Sequence, residues 1–547
     1  STNRYPHFIL VALNAHGHKG IRELSTSAWI KNSFMHVMMR VPTYYSDLEN
    51  MMVHYKGDII ASSACLGGAL PYRLLEYQFL EKNNPSAYAE IWQSCIDWVE
   101  YMNEIFGKGY FFLELQPSRR PEQIYVNKKL IQLSKETDTP YIITTDSHYL
   151  KKEDRKFHKI FLESQDGDRE TEAFYETTYI MSEEEIHDYM DEHCGKEAVQ
   201  KGIDNTMLIY DKAEYYKLTK DLNIPYLPLN TDEPDKKLYE KYKDKIPLLE
   251  HFYTSEYPAD RHLVRDVVAY IDTDPYYQTD EAYDKINECF YYIEESSKKM
   301  NVRWSRYLLQ IAIDVQIAWN AGTLVGAGRG SGVGFCLLNI LGITQINPLR
   351  EKTATFPWRF LNPERASVLD IDIDICGSKR DTVIQAMKDT YGEDRVSKVM
   401  TLSTETARSA ILTMARGLKI ENEISQYISN LIVADRGQTR TLSQMYYGDK
   451  DNPPVLEFVN QMNQYPELWE AAQKIEGLVN GVGSHAGGVI LVDEPFTETT
   501  ALMKTNSGDI ITQFDLHMCE KVSQLLGSYL PNYLSVMYGW QKELNLS

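Results

Sequence analysis

The stretch LDIDIDIC, residues 369–376, decides how the rest of the chain is read. Asp and Ile alternate from Asp370 to Ile375, which is the two-residue period of a β-strand. Residues two apart on a strand share a face. Asp370, Asp372 and Asp374 therefore point one way, and Ile371, Ile373 and Ile375 point into a core. Three carboxylates in a row repel one another unless a cation sits among them. Carboxylate oxygens suit Mg²⁺, which is usually held together with substrate phosphates. Two such ions clamp the attacking and leaving oxygens of an in-line phosphoryl displacement. Two other readings stay open. An EF-hand loop also begins DxDxD, but it needs Gly at its sixth position and Glu at its twelfth. Here Ile375 and Asp381 stand there. The plain alternative is a solvated acidic face on an ordinary strand.

About forty residues upstream lies GAGRGSGVG, residues 326–334. Its alternating glycines let backbone amides approach an anion closely. Arg329 adds a fork of donors suited to phosphate, and Ser331 adds a hydroxyl. No Gly-Lys-Ser/Thr follows, so this is not a Walker A loop, and GxGxxG fails in every register. A tight turn before an apolar helix, FCLLNILGI (335–343), is the alternative. Taken together, a phosphate loop and a carboxylate row suggest nucleotidyl transfer.

Working outward, the 547 residues suggest three to five domains. With 43% hydrophobic and 25% charged residues, the composition is that of a globular protein. The net charge of −21 excludes a uniformly basic nucleic-acid coat. It does not exclude a local basic groove. Residues 201–300 carry 14 Lys/Arg against 21 Asp/Glu, whereas residues 321–420 carry 13 against 10. The sharpest motifs thus lie on a basic island in an acidic chain. Seven scattered cysteines without a CxxC fit a reducing compartment. No apolar run is long enough for a membrane helix, and STNRYPHF at the start is not an apolar signal. A soluble, intracellular protein without membrane partners is expected. Strands are expected at 7–13, within 57–68, at 110–116 and at 140–149, with a helix at 121–136 between the last two. This alternation argues for an α/β domain. Helices are expected at 280–300, at 303–320 and across 420–478, with a return to loop and strand at 479–495.

Three long stretches in order, 326–349, 358–384 and SHAGGVIL at 484–491, resemble the bacterial C-family replicative DNA polymerases, the α subunits of DNA polymerase III. The N-terminal part resembles that family's PHP domain, through HFILVALNAHGHKGIREL, IIASSACLGG, YFFLELQ, TTDSHYL and SEEE. The resemblance implies an α/β multidomain chain: a PHP-type α/β domain shaped as a distorted barrel, and a polymerase-beta-like nucleotidyltransferase palm with an inserted helical thumb. The expected divisions are a partial PHP domain at 1–215, palm at 216–417, thumb at 418–478 and palm again at 479–547.

Function and site residues follow from the same resemblance. It implies template-directed addition of dNTPs to a primer 3′ hydroxyl on primer–template DNA. Asp370 and Asp372 match the catalytic pair that binds two Mg²⁺ ions, and Asp374 has no usual catalytic role. Gly330 and Ser331 match the pair that grips the incoming phosphates, with Arg329 beside them. Arg359 and Arg365 belong to the WRFLNPER stretch, Arg408 stands where the family usually has Lys, and His485 matches a loop histidine near the site. In the first domain His7, Cys65, Asp146 and His148 match metal ligands for Zn²⁺ or Mn²⁺, with Asp146 and His148 on alternate positions at the end of the strand expected over 140–149. His16 and His18 are read as surface residues.

Departures shape the expectation as well. Asn532, within GSYLPNYLSV, stands where the family has its third catalytic Asp. Asn can ligate a metal through its carbonyl but brings no charge. The first part of the PHP pattern and the fingers have no counterpart, so a fragment or shortened form is expected. Clamp and other replisome contacts would then be made through parts outside this sequence. The expected place is the cytoplasm of a bacterial or phage-infected cell. Two further readings stay open. One is a PHP-type metal-dependent phosphoesterase or 3′–5′ exonuclease. The other is a catalytically impaired DNA-binding relative.

Overall fold

Four of the expected strands form one sheet in the computed structural model, which describes residues 5–36, 38–165, 174–219, 234–351, 355–364, 371–435 and 438–523. They are β1 (Ile9–Ala12), β2 (Ile59–Ser62), β3 (Phe111–Leu115) and β4 (Tyr141–Ile143). Their spatial order is their chain order. β1 runs antiparallel to β2, with Ile9 opposite Ser62. β2, β3 and β4 are parallel, with Ala61 opposite Phe111 and Leu113 opposite Tyr141. Parallel strands covered on both faces are apolar throughout rather than alternating, which is why β3 reads FFLEL. One face of the sheet places Ile59, Ala61, Phe111, Leu113, Leu115, Tyr141 and Ile143 in a core with the helices Pro85–Phe106 and Pro121–Thr137. The other face places Ile60, Phe112 and Ile142 against Leu13.

By internal contacts, this sheet belongs to a unit of residues 1–24, 40–216 and 402–482. The helices expected over 420–478 begin earlier, at Ala407–Gly417, and continue through Asn422–Asn430, Leu442–Tyr447, Leu456–Gln464 and Pro466–Ile475. They share a core with Phe157 and Ile160 of the helix Arg155–Glu163. Two ion pairs flank that packing, Lys156–Glu470 and Lys474–Asp154, each at 2.8 Å. Gly417 makes the close approach possible, because a Cβ there would lie 2.0 Å from the Ile160 carbonyl oxygen. A backbone atom cannot rotate away. Gly417→Ala should therefore destabilise this packing by about 1–3 kcal/mol, more than the gain of up to about 1 kcal/mol from helix propensity. A lower thermal midpoint by circular dichroism checks it.

The second unit comprises residues 25–39, 217–401 and 483–547. Helices Pro258–Thr273, Asp280–Met300 and Trp304–Asn320 bury Val264, Phe290, Trp304 and Leu308, among others, in its core. Both long helices expected from the sequence are present at the expected residues. The second sheet contains β5 (Val396–Thr404), β6 (Val479–Leu491), β7 (Leu502–Lys504) and β8 (Ile510–Asp515) in the order β6-β5-β8-β7. β8 is parallel to β5, and β7 antiparallel to β8. Residues 25–39, by sequence inside the first expected domain, pack on this sheet. Leu502 N donates to Thr26 Oγ1 (3.1 Å), and Lys504 Nζ to the Ile30 carbonyl (2.8 Å).

Two local expectations are corrected. The stretch 335–343 is not one helix. Only Cys336–Ile340 is helical, and Gly342, at φ 72°, turns the chain away. Among the described residues of LDIDIDIC, 371–376, no regular strand forms, and a single bridge joins Ile375 to Val325. The pairing is confined to residues 323–326 and 374–376, where Gly326 N donates to the Asp374 carbonyl and Cys376 N to Thr323 Oγ1. No helix among the described residues is long and apolar enough to cross a membrane.

Candidate active site

The alternation of the acidic row survives without a regular ladder. Ile371, Ile373 and Ile375 are buried, and Asp372 and Asp374 are partly exposed between them. The isoleucines anchor in the helical core of the second unit. The buried isoleucines therefore anchor the segment that carries the carboxylates, although residues 371–374 form no regular strand. Asp370 and Arg365 lie outside the described residues, as does Asn532.

The glycine loop is tied directly to this row. Val325 bridges Ile375, Gly326 N donates to the Asp374 carbonyl at 2.7 Å, and Cys376 N donates to Thr323 Oγ1 at 3.2 Å. Gly326 must lack a side chain, since a Cβ would come within 2.9 Å of the Asp374 Cβ. On the loop's other side Gln345 N donates to the Ala327 carbonyl at 2.8 Å. Residues 330–334 then form a short 3-10 turn. The turn Pro357–Arg359 packs against it, with the rings of Phe335 and Phe360 5.0 Å apart. The WRF segment and the glycine loop are thus neighbours, and the exposed Arg359 projects from the turn that supports the loop.

Arg329 connects the two motifs. One guanidinium nitrogen lies 3.0 Å from Asp372 Oδ2 and another 3.5 Å from Asp374 Oδ1. The second pair is ionic only, and Asp374 Oδ1 is buried without a hydrogen-bond donor. Gly330 and Ser331 are exposed beyond it, and a Cβ on Gly330 would meet nothing within 4 Å. The two-residue period already places Asp374 on the face of Asp372, whereas the family resemblance gives it no usual catalytic role.

Arg408 and His485 have local backbone roles. Arg408, in the first unit, donates to the Ile432 carbonyl at 2.7 Å and so ties the helix Ala407–Gly417 to the end of the next one. The side chain of His485, within β6, accepts from Gly488 N at 2.7 Å through Nδ1.

The first domain's four expected ligands are only partly gathered. His7 Nδ1 lies 3.3 Å from Cys65 Sγ. Burial pushes the Cys65 thiol above its ordinary pKa, and the nearby charges of Asp146 and Glu114 add to this. His148 is elsewhere. Its Nδ1 contacts the Asp146 carbonyl at 2.6 Å, and its ring packs edge-on against Tyr175 (5.0 Å) and His158 (5.9 Å). Asp146 and His148 were expected on one strand face, but β4 ends at Ile143 and Asp146 has φ 46°. The strand period no longer applies there. Among the described residues, no three His, Cys, Asp or Glu side chains are grouped to hold one ion. His16, read as a surface residue, is exposed, with Nδ1 2.8 Å from Asp58 Oδ2.

Comparison with known families agrees with the order of these parts. Residues 1–118 match the PHP domain, and residues 268–526 match the bacterial DNA polymerase III alpha NTPase domain. The chain is 37% identical over 529 residues to the DNA-directed DNA polymerase of Bacillus phage SPbeta, covering 94% of this chain and 40% of that protein. It is 28% identical over 562 residues to DNA polymerase III subunit alpha of Aquifex aeolicus, covering 97% of this chain and 44% of the relative. With the Thermus aquaticus subunit the identity is 26% over 575 residues, covering 96% and 43%. The chain spans less than half the length of these relatives. With a PHP domain followed by a polymerase III alpha NTPase domain, and relatives aligned over more than nine-tenths of its length, the chain belongs to the C-family polymerases.

Proposed function

We propose that the chain carries out template-directed nucleotidyl transfer, in which a primer 3′ hydroxyl attacks the α-phosphate of a dNTP, the bond from that phosphorus to the β-phosphate oxygen breaks, and pyrophosphate leaves. The observation that carries this reading is the joining of the glycine loop to the acidic row through Arg329, Asp372 and Asp374. In this reading residues 216–417 and 479–547 are a polymerase-beta-like palm and 418–478 an inserted thumb. Residues 1–215 are a PHP-type, distorted-barrel domain.

The donor set of the row fits Mg²⁺, since it offers hard carboxylate oxygens on one face and one of them, Asp374 Oδ1, is buried without a hydrogen-bond donor. Asp372, with Asp370, would hold the ions, which supply activation of the 3′ hydroxyl and neutralisation of the phosphates. The chain's own groups do the rest. Gly330 and Ser331 present backbone and hydroxyl donors from an exposed turn. Arg329 and Arg359, with Arg365, bring positive charge to a triphosphate held there. Arg408 and His485 act one step back, by fixing backbone near the thumb and in β6. The residues His7, Cys65, Asp146 and His148, as placed, are not gathered into a set that fits a Zn²⁺ or Mn²⁺ ion. The helices after Ala407 would grip the duplex backbone without reading sequence.

The test is primer extension by the full chain on a primed template with four dNTPs and Mg²⁺. Extension is expected. DNA binding without extension would overturn the reading in favour of a catalytically impaired relative. Duplex affinity should also fall steeply with salt, with a log–log slope of about −0.9 per phosphate contacted. Filter binding at several salt concentrations checks this.

A further inference from the structure

We propose that Arg329 is the acidic row's own counter-ion and moves between two sets of partners. One set is the carboxylates of Asp372 and Asp374, and the other is the phosphates of an incoming nucleotide. Binding of a divalent cation at Asp372 and binding of a nucleotide at the glycine loop are thereby coupled. The inference rests on the proposed reading of Asp372 as a cation ligand.

Four features support it. First, the guanidinium spans both carboxylates and so lies where it competes with a cation for their charge. A guanidinium does not lose its proton in a protein. It cannot make way for a cation by becoming neutral and has to move. Second, the pairing is easily broken. The side chains of Arg329, Asp372 and Asp374 are 33%, 32% and 24% exposed, and screened pairs of that kind are worth only a few-fold in an equilibrium constant. Third, the backbone beside Arg329 is glycine on both sides, with φ 130° at Gly328 and 67° at Gly330, and open space around Gly330. The loop's base is held at Gly326 by its bond to the Asp374 carbonyl. The segment carrying Arg329 can therefore swing while its root stays fixed. Fourth, Arg forms stronger, two-pronged hydrogen bonds to phosphate. A nucleotide on Gly330 and Ser331 would draw it off the row. Binding couplings are reciprocal, so each ligand then favours the other.

The test is a Mn²⁺ titration of the full chain without nucleotide or DNA, read by electron paramagnetic resonance of free Mn²⁺. Asp372→Ala identifies the site's share of the binding. With Arg329→Ala or Arg329→Gln, Mn²⁺ affinity at that site should rise about three- to fivefold, the worth of one screened ion pair. Arg329→Lys keeps the charge and should stay near wild type. The affinity for a fluorescent dNTP, measured separately, should fall in the two neutral variants. Unchanged or weaker Mn²⁺ binding in folded Arg329→Ala and Arg329→Gln proteins would overturn the inference and leave the polymerase reading standing. Mn²⁺ binding that is indifferent to Asp372→Ala would overturn both.

Discussion

Replacing Asp372 by alanine should lower primer extension by about a thousandfold or more while leaving the protein folded. Cation assistance in phosphoryl transfer contributes several kcal/mol, and each 1.36 kcal/mol is tenfold in rate. Loss of a direct ligand should forfeit most of that. Stability should barely change. Asp372 is partly exposed, and its ion pair with Arg329 is solvent-screened, so the pair is worth at most about 1 kcal/mol. Asp374→Asn should do less. It removes a charge facing Arg329 but leaves the bond from Gly326 N to the Asp374 backbone carbonyl that anchors the loop. Extension rates and circular dichroism melts, run side by side, separate the two effects. Equal losses in both variants would mean that the row acts only as a negative patch.

The largest effect on stability is expected at Asp260, far from the acidic row in sequence. Its side chain is fully buried. It accepts hydrogen bonds from Arg303 and Ser305, and from Ser255 at 2.6 Å. Arg303 also lies 3.4 Å from Glu294, which pairs with His251 at 3.0 Å and Lys298 at 3.4 Å. Breaking a buried pair by removing one partner costs about 3–5 kcal/mol, because the other charge stays behind. Asp260→Ala should therefore lose a large part of this unit's stability, measurable as a fall in the urea midpoint. A change of less than about 1 kcal/mol would show that Arg303 is satisfied by Glu294 alone. The same network gives a pH dependence. Burial raises the Glu294 carboxyl, but Arg303, His251 and Lys298 outweigh it, and its pKa lies below the ordinary value. A carboxylate with a depressed folded pKa contributes stability that is present above its unfolded value of about 4.3 and lost as pH falls through the folded value. Acid unfolding monitored in Glu294→Gln should show less of this loss.

Much of the fold could be read from local pattern. The continuous apolar runs of β2, β3 and β4 announce strands buried on both faces, and the helix periodicity over 280–300 and 303–320 matches Asp280–Met300 and Trp304–Asn320. The face assignment of Asp372 and Asp374 was also legible, because it depends only on the alternation with buried isoleucines. What the pattern did not reveal depends on chain geometry over longer distances. The left-handed residue at Asp146 takes His148 off the expected face, and no strand rule shows that. Residues 25–39 pack on the second sheet through bonds to Leu502 and Lys504, partners more than four hundred positions away. The ion pair of Arg329 with the acidic row likewise depends on the short pairing of residues 323–326 with 374–376. Family resemblance supplied the roles expected of Gly330 and Arg359, whereas the pairing of Arg329 with Asp374 came from the structure alone.

The central claim is that the glycine loop and the acidic row form one site for nucleotide and cation. The most direct measurement is binding of a fluorescent dNTP to the full chain as a function of divalent cation, in wild type, Asp372→Ala and Gly330→Val. Binding should require the cation and weaken at least tenfold in either variant, since one removes the cation's ligand and the other forces a side chain onto a backbone with φ 67°. Nucleotide binding that is independent of the cation, and unchanged by both substitutions, would contradict it.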